Sequence, residues 1–433
     1  MFPARKAATR ALYPLLLAAL AACSGQNEPT VIVEFVAADE AVLAGESTEL
    51  RWEVRGAREV ALEPGLGVHP PVGRLTVKPA ERTRYRLIAT GRSPPQSAEQ
   101  TVAVIRYDWS ALSAALGQFQ AAQSPQAPDY RFALSVGGRT VFSAGGGKLR
   151  PESRLPIAEA TMVPSAAAIL TLAQQDKLDL DAPVQRYLGE LWPVDPPKAA
   201  ITMRMLLNHT SGLPASAACL EERRGMTLSD CVKEIGALPL QAAPGESFLF
   251  SRAGYQVAGL VAEKISGLAW ADFFNEQFGG RLGLLGLEYL GSSNPRIGAG
   301  AVASTGDLLK LQQLFLDGGK SGPAQLLAPE HAEAIRQDQI GARTLAHFPL
   351  PADTALRGYS FGWWIREGAQ SLPSRGPELG APGSEGSVSW IDFDKGYTAV
   401  LLLDADREAG LRLWSALRPL IVEQIERNGQ PSR

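Results

Sequence analysis

Near the middle of this 433-residue chain stands Leu155-Pro-Ile-Ala-Glu159-Ala-Thr-Met162-Val-Pro-Ser-Ala-Ala-Ala-Ile-Leu170. Glu159 and Met162 are three residues apart, so a helix would place their side chains one turn apart on the same face. Small and apolar residues continue to Leu170, and the segment Asp176-Lys-Leu-Asp-Leu-Asp-Ala-Pro-Val184 comes shortly after them. The pattern predicts an Ala- and Leu-rich helix with an acidic side chain at its start.

This order of residues resembles the start of the central helix in the serine β-lactamase and penicillin-binding protein family, and in its class C β-lactamase-like serine hydrolases in particular. In that family the segment reads roughly Phe-x-Ile-Ala-Ser-x-x-Lys. Its serine attacks an acyl carbon, and its lysine lies one helical turn away and helps to activate the serine. Here Glu159 stands at the serine position and Met162 at the lysine position.

The resemblance implies a β-lactamase/transpeptidase-like α/β domain over residues 107–433, with an antiparallel sheet between helical layers. It also implies a mostly helical lobe from about Leu180 to Ser266. The most specific match is Leu206-Leu-Asn-His-Thr-Ser-Gly-Leu213, which is similar to the family's Leu-Leu-x-His-Thr-Ser-Gly-Leu. In the family this segment is architectural, so the resemblance implies a structural role for His209.

Two further motifs resemble the family's active site but lack its polar groups. The segment Pro244-Gly-Glu-Ser-Phe-Leu-Phe250-Ser-Arg252 is similar to Pro-Gly-x-x-Phe-x-Tyr-Ser-Asn. In the family the tyrosine serves proton transfer and the asparagine orients substrate and lysine, but here Phe250 and Arg252 stand in their places. In the third motif Ala381 stands where relatives carry Lys, His or Ser.

These changes leave no intact catalytic residue and predict a catalytically inactive member, a pseudoenzyme. A glutamate could attack an acyl carbon only to form a reactive anhydride, and neither Met162 nor Phe250 can accept a proton. No lysine in the chain has a serine three residues before it, so a shifted motif does not replace the lost one. Removing one member of a nucleophile unit costs about a millionfold in rate. We therefore expect binding or scaffolding at the cell envelope.

The alternative is a hydrolase, an esterase, peptidase or β-lactamase-like enzyme, with non-serine chemistry. Glu159 and Glu385 would then form a carboxylate pair for acid–base hydrolysis. The competing interpretation of Glu385 is an exposed turn residue. In the family the positions of Glu159 and Arg252 face each other across the pocket, so we also predict an ion pair between these two side chains.

The first 22 residues have the pattern of an export signal. Arg5, Lys6 and Arg10 precede the apolar run 12–22, which ends in Leu20-Ala-Ala-Cys23. That ending resembles the lipobox of bacterial lipoproteins, whose cysteine is acylated and becomes the mature N-terminus. The pattern predicts a signal peptide over 1–22 and a lipidated tether over 23–30.

These features predict an envelope lipoprotein, anchored in the membrane through its lipid. Ser24, which follows the cysteine, favours the outer membrane, facing the periplasm or the cell surface. The formal net charge is only -3, and no basic segment suggests nucleic acid as a partner. The candidate partners are peptidoglycan-derived peptides or an envelope protein.

Residues 31–106 have an all-β pattern. In Thr48-Glu-Leu-Arg-Trp-Glu-Val54 apolar and polar residues alternate strictly. Short strands separated by turn residues over this length are typical of an immunoglobulin-like sandwich, with Trp52 in its core. The stretch resembles bacterial Ig-like modules, and the expected fold is therefore multidomain.

Cys219 and Cys231 are the two thiols left if Cys23 is lipidated. In an oxidising compartment we expect them to form a disulfide. Two cysteines without a nearby histidine make a poor metal site, and we expect no metal and no cofactor.

Overall fold

The computed structural model describes residues 29–91, 93–122, 126–221, 225–290, 293–352, 354–367 and 376–431. The predicted signal peptide and Cys23 lie outside these residues. The chain divides into two compact units, with the boundary between Arg106 and Tyr107.

The first unit is built from eight strands. They are β1 (Val31–Ala37), β2 (Ala41–Leu43), β3 (Thr48–Arg55), β4 (Ala57–Glu63), β5 (Gly67–His69), β6 (Val72–Val77), β7 (Thr83–Gly91) and β8 (Gln96–Ile105). One sheet has the order β1-β3-β6, and the other has the order β2-β8-β7-β4-β5. The predicted all-β sandwich is therefore confirmed, although the three-residue strands β2 and β5 were not predicted.

The core of this unit forms because apolar side chains from both sheets meet. Along β3, Leu50, Trp52 and Val54 are buried while Arg51 is exposed, as the alternation predicted. They pack in one cluster with Val60 of the other sheet. The Trp52 indole N–H donates to the carbonyl of Pro70 at 2.9 Å, so this buried polar group is satisfied.

The second unit combines strands and helices. Its strands are β9 (Tyr130–Val136), β10 (Arg139–Gly146), β11 (Leu155–Pro156), β12 (Ser247–Leu249), β13 (Glu288–Tyr289), β14 (Ala301–Ala303), β15 (Lys320–Ser321), β16 (Ala324–Gln325), β17 (Thr344–His347), β18 (Leu356–Ser360), β19 (Trp363–Arg366), β20 (Glu378–Pro382), β21 (Val388–Asp392) and β22 (Tyr397–Leu403). Its α-helices are α1 (Ser110–Ala122), α2 (Met162–Ala173), α3 (Gln185–Leu188), α4 (Met203–Leu207), α5 (Leu228–Ala237), α6 (Arg252–Ser266), α7 (Trp270–Phe274), α8 (Gly280–Leu282), α9 (Thr305–Leu316), α10 (Pro329–Ala334) and α11 (Arg407–Asn428).

A seven-stranded sheet organises this unit, with the order β10-β9-β22-β21-β20-β19-β18. Every neighbouring pair in it is antiparallel, as predicted. All residues of β20, β21 and β22 are buried, so both faces of the central strands are covered. Helix α9 contacts β9, β21 and β22, and helix α11 contacts β20, β21 and β22.

The central helix α2 is buried along almost its whole length. Residues 162–172 are all buried, because its side chains are mostly small or aliphatic and can pack on every side. The hydroxyl of Ser165, in the first turn of α2, donates to the carbonyl of Ile297 at 2.6 Å and also contacts the Tyr289 hydroxyl. The expected helical lobe contains α3, α4, α5 and α6, with the short strand β12 among them.

A disulfide joins Cys219 to Cys231. Both residues are fully buried, Cys219 in a 3₁₀ turn and Cys231 in helix α5. Within the described residues, no helix has the length and apolarity that a membrane span needs.

We predict that the protein without its first 28 residues has no reactive thiol when it is denatured without reductant. Reduction should release two thiols and lower the free energy of unfolding by about 3 kcal/mol, because the closed loop restricts the unfolded chain. Thiol titration before and after reduction, with urea unfolding in both states, measures both effects. Two reactive groups in the unreduced protein would contradict the pairing.

Candidate functional site

The turn before α2 fixes the position of Glu159. Residues 158–161 form one 3₁₀ turn, and Ala158 has a positive φ of 43°. The Ile157 N–H donates to the carbonyl of Ala301 at 3.0 Å, and the Thr161 hydroxyl accepts from the Ala301 N–H at 3.1 Å. Strand β14 thus fixes both ends of the turn, so the Glu159 side chain extends from it in one defined direction.

The loop between β20 and β21 lies directly against this turn. The Ser387 hydroxyl donates to the carbonyl of Ile157 at 3.1 Å, and the Gly383 N–H donates to the carbonyl of Ser387 at 2.8 Å. A Cβ at position 383 would lie 2.3 Å from the Ile157 oxygen, so only glycine permits this approach. The approach brings the N–H of Ser384 to the Glu159 side chain.

The Glu159 carboxylate is held by donors from three segments. Its Oε2 accepts from the Ser384 N–H at 2.8 Å and from Nη2 of Arg407 at 2.8 Å. The main-chain N–H of Glu159 also stabilises the charge. Burial raises the pKa of this carboxyl, but Arg407 and the two N–H groups outweigh burial, and the pKa lies below its usual value. Glu159 is therefore ionised at neutral pH.

The predicted ion pair between Glu159 and Arg252 is wrong, because Arg407 takes the place of Arg252. Nη1 of Arg407 donates to the carbonyl of Pro349 at 3.0 Å, and its main-chain N–H donates to the carbonyl of Ser384 at 3.1 Å. These contacts orient its guanidinium toward the carboxylate. Arg252 instead donates from Nη2 to the Ser216 hydroxyl at 3.1 Å.

The other three altered positions of the motifs are buried and apolar. Met162 is 1% exposed, Phe250 6% and Ala381 2%. The Met162 sulfur accepts from the Tyr359 hydroxyl at 3.6 Å, and the Phe250 ring stacks on Trp364 with centroids 5.6 Å apart. The structure therefore brings the motif positions into one region, and at three of them the side chain is packed in the apolar core.

His209 is a buried neutral residue beside this region. Its Nδ1 accepts from the Ser251 N–H at 3.0 Å, so Nε2 carries the proton and donates to the Tyr359 hydroxyl at 2.9 Å. Burial lowers the pKa of His209 to about 3. The centroid of its ring lies 4.5 Å from that of the Phe250 ring. These contacts indicate a structural role for His209.

A cleft of about 120 Å³ opens beside the carboxylate. We call it the Glu159 cleft, and its charged and polar lining consists of Glu159, Arg252, Arg296, Ser384 and Glu385. Arg296, Ser384 and Glu385 are exposed, whereas Arg252 is half-buried. Phe250, Met162 and Ala381 do not line it.

The carboxylate pair proposed for a rewired hydrolase has both members at this cleft. Glu385 is exposed, as expected of a turn residue. Glu159 is a poor general acid, because its lowered pKa keeps it deprotonated and Arg407 neutralises its charge. Within the described ranges, no group of three His, Cys, Asp or Glu side chains could hold a metal ion.

Arg407 is the site residue that sequence reasoning missed. Arg407 is the first residue of the terminal helix α11 and lies 248 positions after Glu159 in the chain. A cation in the first turn of a helix is opposed by the helix dipole. That mismatch was the available signal that Arg407 needs a carboxylate from elsewhere in the fold.

We predict that Arg407→Ala lowers the free energy of unfolding by about 3–5 kcal/mol, because it leaves the largely buried Glu159 carboxylate without its cation. Glu159→Gln combined with Arg407→Ala should cost less than the sum of the two single changes. Urea unfolding of the four proteins in this cycle measures the coupling. Arg252→Ala serves as the matched control and should couple to Glu159→Gln much more weakly than Arg407→Ala does, because Arg252 does not contact the carboxylate.

The same pair should appear in the pH dependence of stability. A carboxyl with a lowered folded-state pKa stabilises the protein above its unfolded-state pKa, and this contribution is lost as the pH falls through the folded-state value. Glu159→Gln should therefore flatten the acid limb of the stability profile. An unchanged acid limb together with zero coupling to Arg407 would contradict the ion pair.

Comparison with known proteins places this site within a family. The Beta-lactamase family model matches residues 113–418, well over half of the chain. Esterase EstB of Burkholderia gladioli is 31% identical over 137 residues, which cover 28% of this chain and 35% of the esterase. The chain thus spans about a third of the length of that curated relative.

Solved structures show the same fold. A Bacteroides dorei protein described as a β-lactamase matches with a TM-score of 0.63 and 21% identity, over 74% of this chain and all of its own. EstCE1, a hydrolase with promiscuous acyltransferase activity, matches with a TM-score of 0.59 and 20% identity, over 72% of this chain and 98% of its own. At these identities the likeness establishes the fold, and together with the family match it shows that the chain belongs to the Beta-lactamase family.

Proposed function

We propose that this protein is a catalytically inactive member of its family that binds or scaffolds at the cell envelope. The observation that supports this most directly is the setting of the Glu159 carboxylate. Two main-chain N–H groups, those of Glu159 and Ser384, converge on it. Paired N–H groups of this kind stabilise the negative oxygen that develops during acyl transfer. Here the permanently charged carboxylate of Glu159 occupies both N–H groups.

The loss of the other working groups supports the same proposal. Acyl transfer needs a nucleophile and a group that accepts its proton. Met162 and Phe250 are buried apolar residues, and the nearby imidazole of His209 already uses both of its nitrogens for internal hydrogen bonds. A substrate carbonyl at this position would also meet the carboxylate instead of a free pair of donors.

The retained fold suits a binding role. The cleft beside Glu159 remains open to solvent and keeps charged side chains at its edge. We propose lipid anchoring through Cys23, most simply at the outer membrane, and peptidoglycan-derived peptides or an envelope protein as partners. Mass analysis of the N-terminal peptide of the native protein, with Cys23→Ala as control, tests the anchor.

The alternative is a hydrolase with non-serine chemistry. Its support is the esterase and acyltransferase activity named for two relatives, together with the presence of Glu159 and Glu385 at one cleft. The ion pair to Arg407 opposes it, since an acid–base pair needs one carboxyl that holds a proton at working pH. Turnover of any substrate in a broad panel of esters, peptides and β-lactams would favour this alternative.

We predict that neither a fluorescent penicillin nor a fluorophosphonate labels the purified protein, because no hydroxyl nucleophile stands at position 159. Glu159→Ser should also stay unlabelled, since Met162 and Phe250 still provide no base. Gel fluorescence followed by peptide mapping measures the labelling, with an active serine β-lactamase as positive control. Stoichiometric labelling of the wild-type peptide 155–170 would overturn the proposed inactivity.

A further inference from the structure

The Glu159 cleft is lined by two arginines and two glutamates, and the pairing of Glu159 with Arg407 leaves a net positive charge at the cleft. Of its two carboxylates, that of Glu159 is neutralised by Arg407, and that of Glu385 is exposed. Among the residues that the structure describes, neither Arg252 nor Arg296 forms an ion pair with a carboxylate. Two arginines therefore line one small cleft, and neither is paired with a carboxylate of the described residues.

This net positive charge remains because the cation that pairs with Glu159 is Arg407 and not Arg252. Because Arg407 reaches Glu159 from the start of α11, Arg252 is left with a hydroxyl, that of Ser216, as its partner. Arg252 is also the first residue of the 15-residue helix α6. The positive end of that helix adds to the charge of the guanidinium and favours a negative group nearby.

The dimensions of the cleft limit what can occupy it. A volume of about 120 Å³ is far below the several hundred Å³ typical of sites for whole drug-sized ligands. It suits one compact group while the rest of the ligand stays outside. A guanidinium presents forked N–H donors that match the oxygens of a carboxylate or a phosphate.

We propose that the Glu159 cleft binds a small anionic group, a carboxylate or a phosphate, between Arg252 and Arg296. The proposal rests on the proposed non-catalytic function, because it makes the former active site a recognition site. Arg407 has a separate role, since it neutralises Glu159 and so removes a charge that would repel the ligand. Glu385 opposes binding weakly from the exposed edge.

Titration of the purified protein with inorganic phosphate and, separately, with acetate tests the site. Chloride keeps the ionic strength constant, and the thermal unfolding midpoint and calorimetry report binding. We expect saturable binding of at least one of the two anions. Comparison of the phosphate and acetate arms shows which oxyanion the cleft prefers.

The variants make the assignment specific. Arg252→Gln and Arg296→Gln should each weaken binding by about tenfold or more, the usual effect of losing a charged hydrogen bond. Glu385→Gln should strengthen it by about twofold to fivefold, because it removes an exposed repulsive charge. Arg281→Gln, an exposed arginine outside the lining, is the matched control and should leave binding unchanged.

Opposite effects of removing a cation and removing an anion at one cleft would not arise from a general loss of structure. Binding that is not saturable, or that Arg281→Gln weakens as much as Arg252→Gln does, would overturn the site. The labelling experiment with fluorophosphonate separates the two proposals. If the probe labels the protein and the anion still binds through Arg252 and Arg296, the proposed inactivity is refuted but the anion site is not. If the protein is unlabelled and binds neither anion, the anion site is refuted but the proposed inactivity is not.

Discussion

The carboxylate of Glu159 joins three parts of the second unit that are distant in sequence. The turn before the central helix carries it, the loop after β20 donates the N–H of Ser384 to it, and the first residue of α11 neutralises it. A carboxylate with 11% of its side chain exposed would be costly without these partners. The close approach of Gly383 to Ile157 is what allows all three segments to meet.

This arrangement places a charged carboxylate against main-chain donors that the framework of the second unit holds in position. The geometry that presents two main-chain N–H groups to a negative oxygen depends on the sheet, the turn and the helix, and these are maintained by a continuous apolar core. A carboxylate accepts hydrogen bonds from such donors as well as a reacting oxyanion does. Unlike the oxyanion, which forms only during a reaction, the carboxylate is always present. At the motif positions 162, 250 and 381 the side chains are apolar and buried.

The fold of the first unit follows from the alternation of apolar and polar residues along its strands. Its two sheets bury one face each, so alternation along the strands was enough to predict both the sandwich and the place of Trp52. Strands β2 and β5 escaped prediction because three residues carry too little periodicity, and their pairing depends on neighbours far along the chain. Strand β8 begins with Gln96 and Ser97, whose exposed polar side chains give no apolar pattern.

The sequence by itself determined the family resemblance, the order of the motifs and the loss of serine, lysine and tyrosine from them, since each of these is a local pattern of residues. It also indicated that a charge at position 159 would need a partner. Only the tertiary structure decided which partner that is. The hydrogen-bonding reach of a guanidinium is set by where its backbone lies, and Arg407, 248 positions after Glu159 in the chain, comes beside it only in the folded protein. Arg252, which the motif alignment favoured, faces the same cleft but is held by Ser216, and no local pattern distinguishes these two arginines.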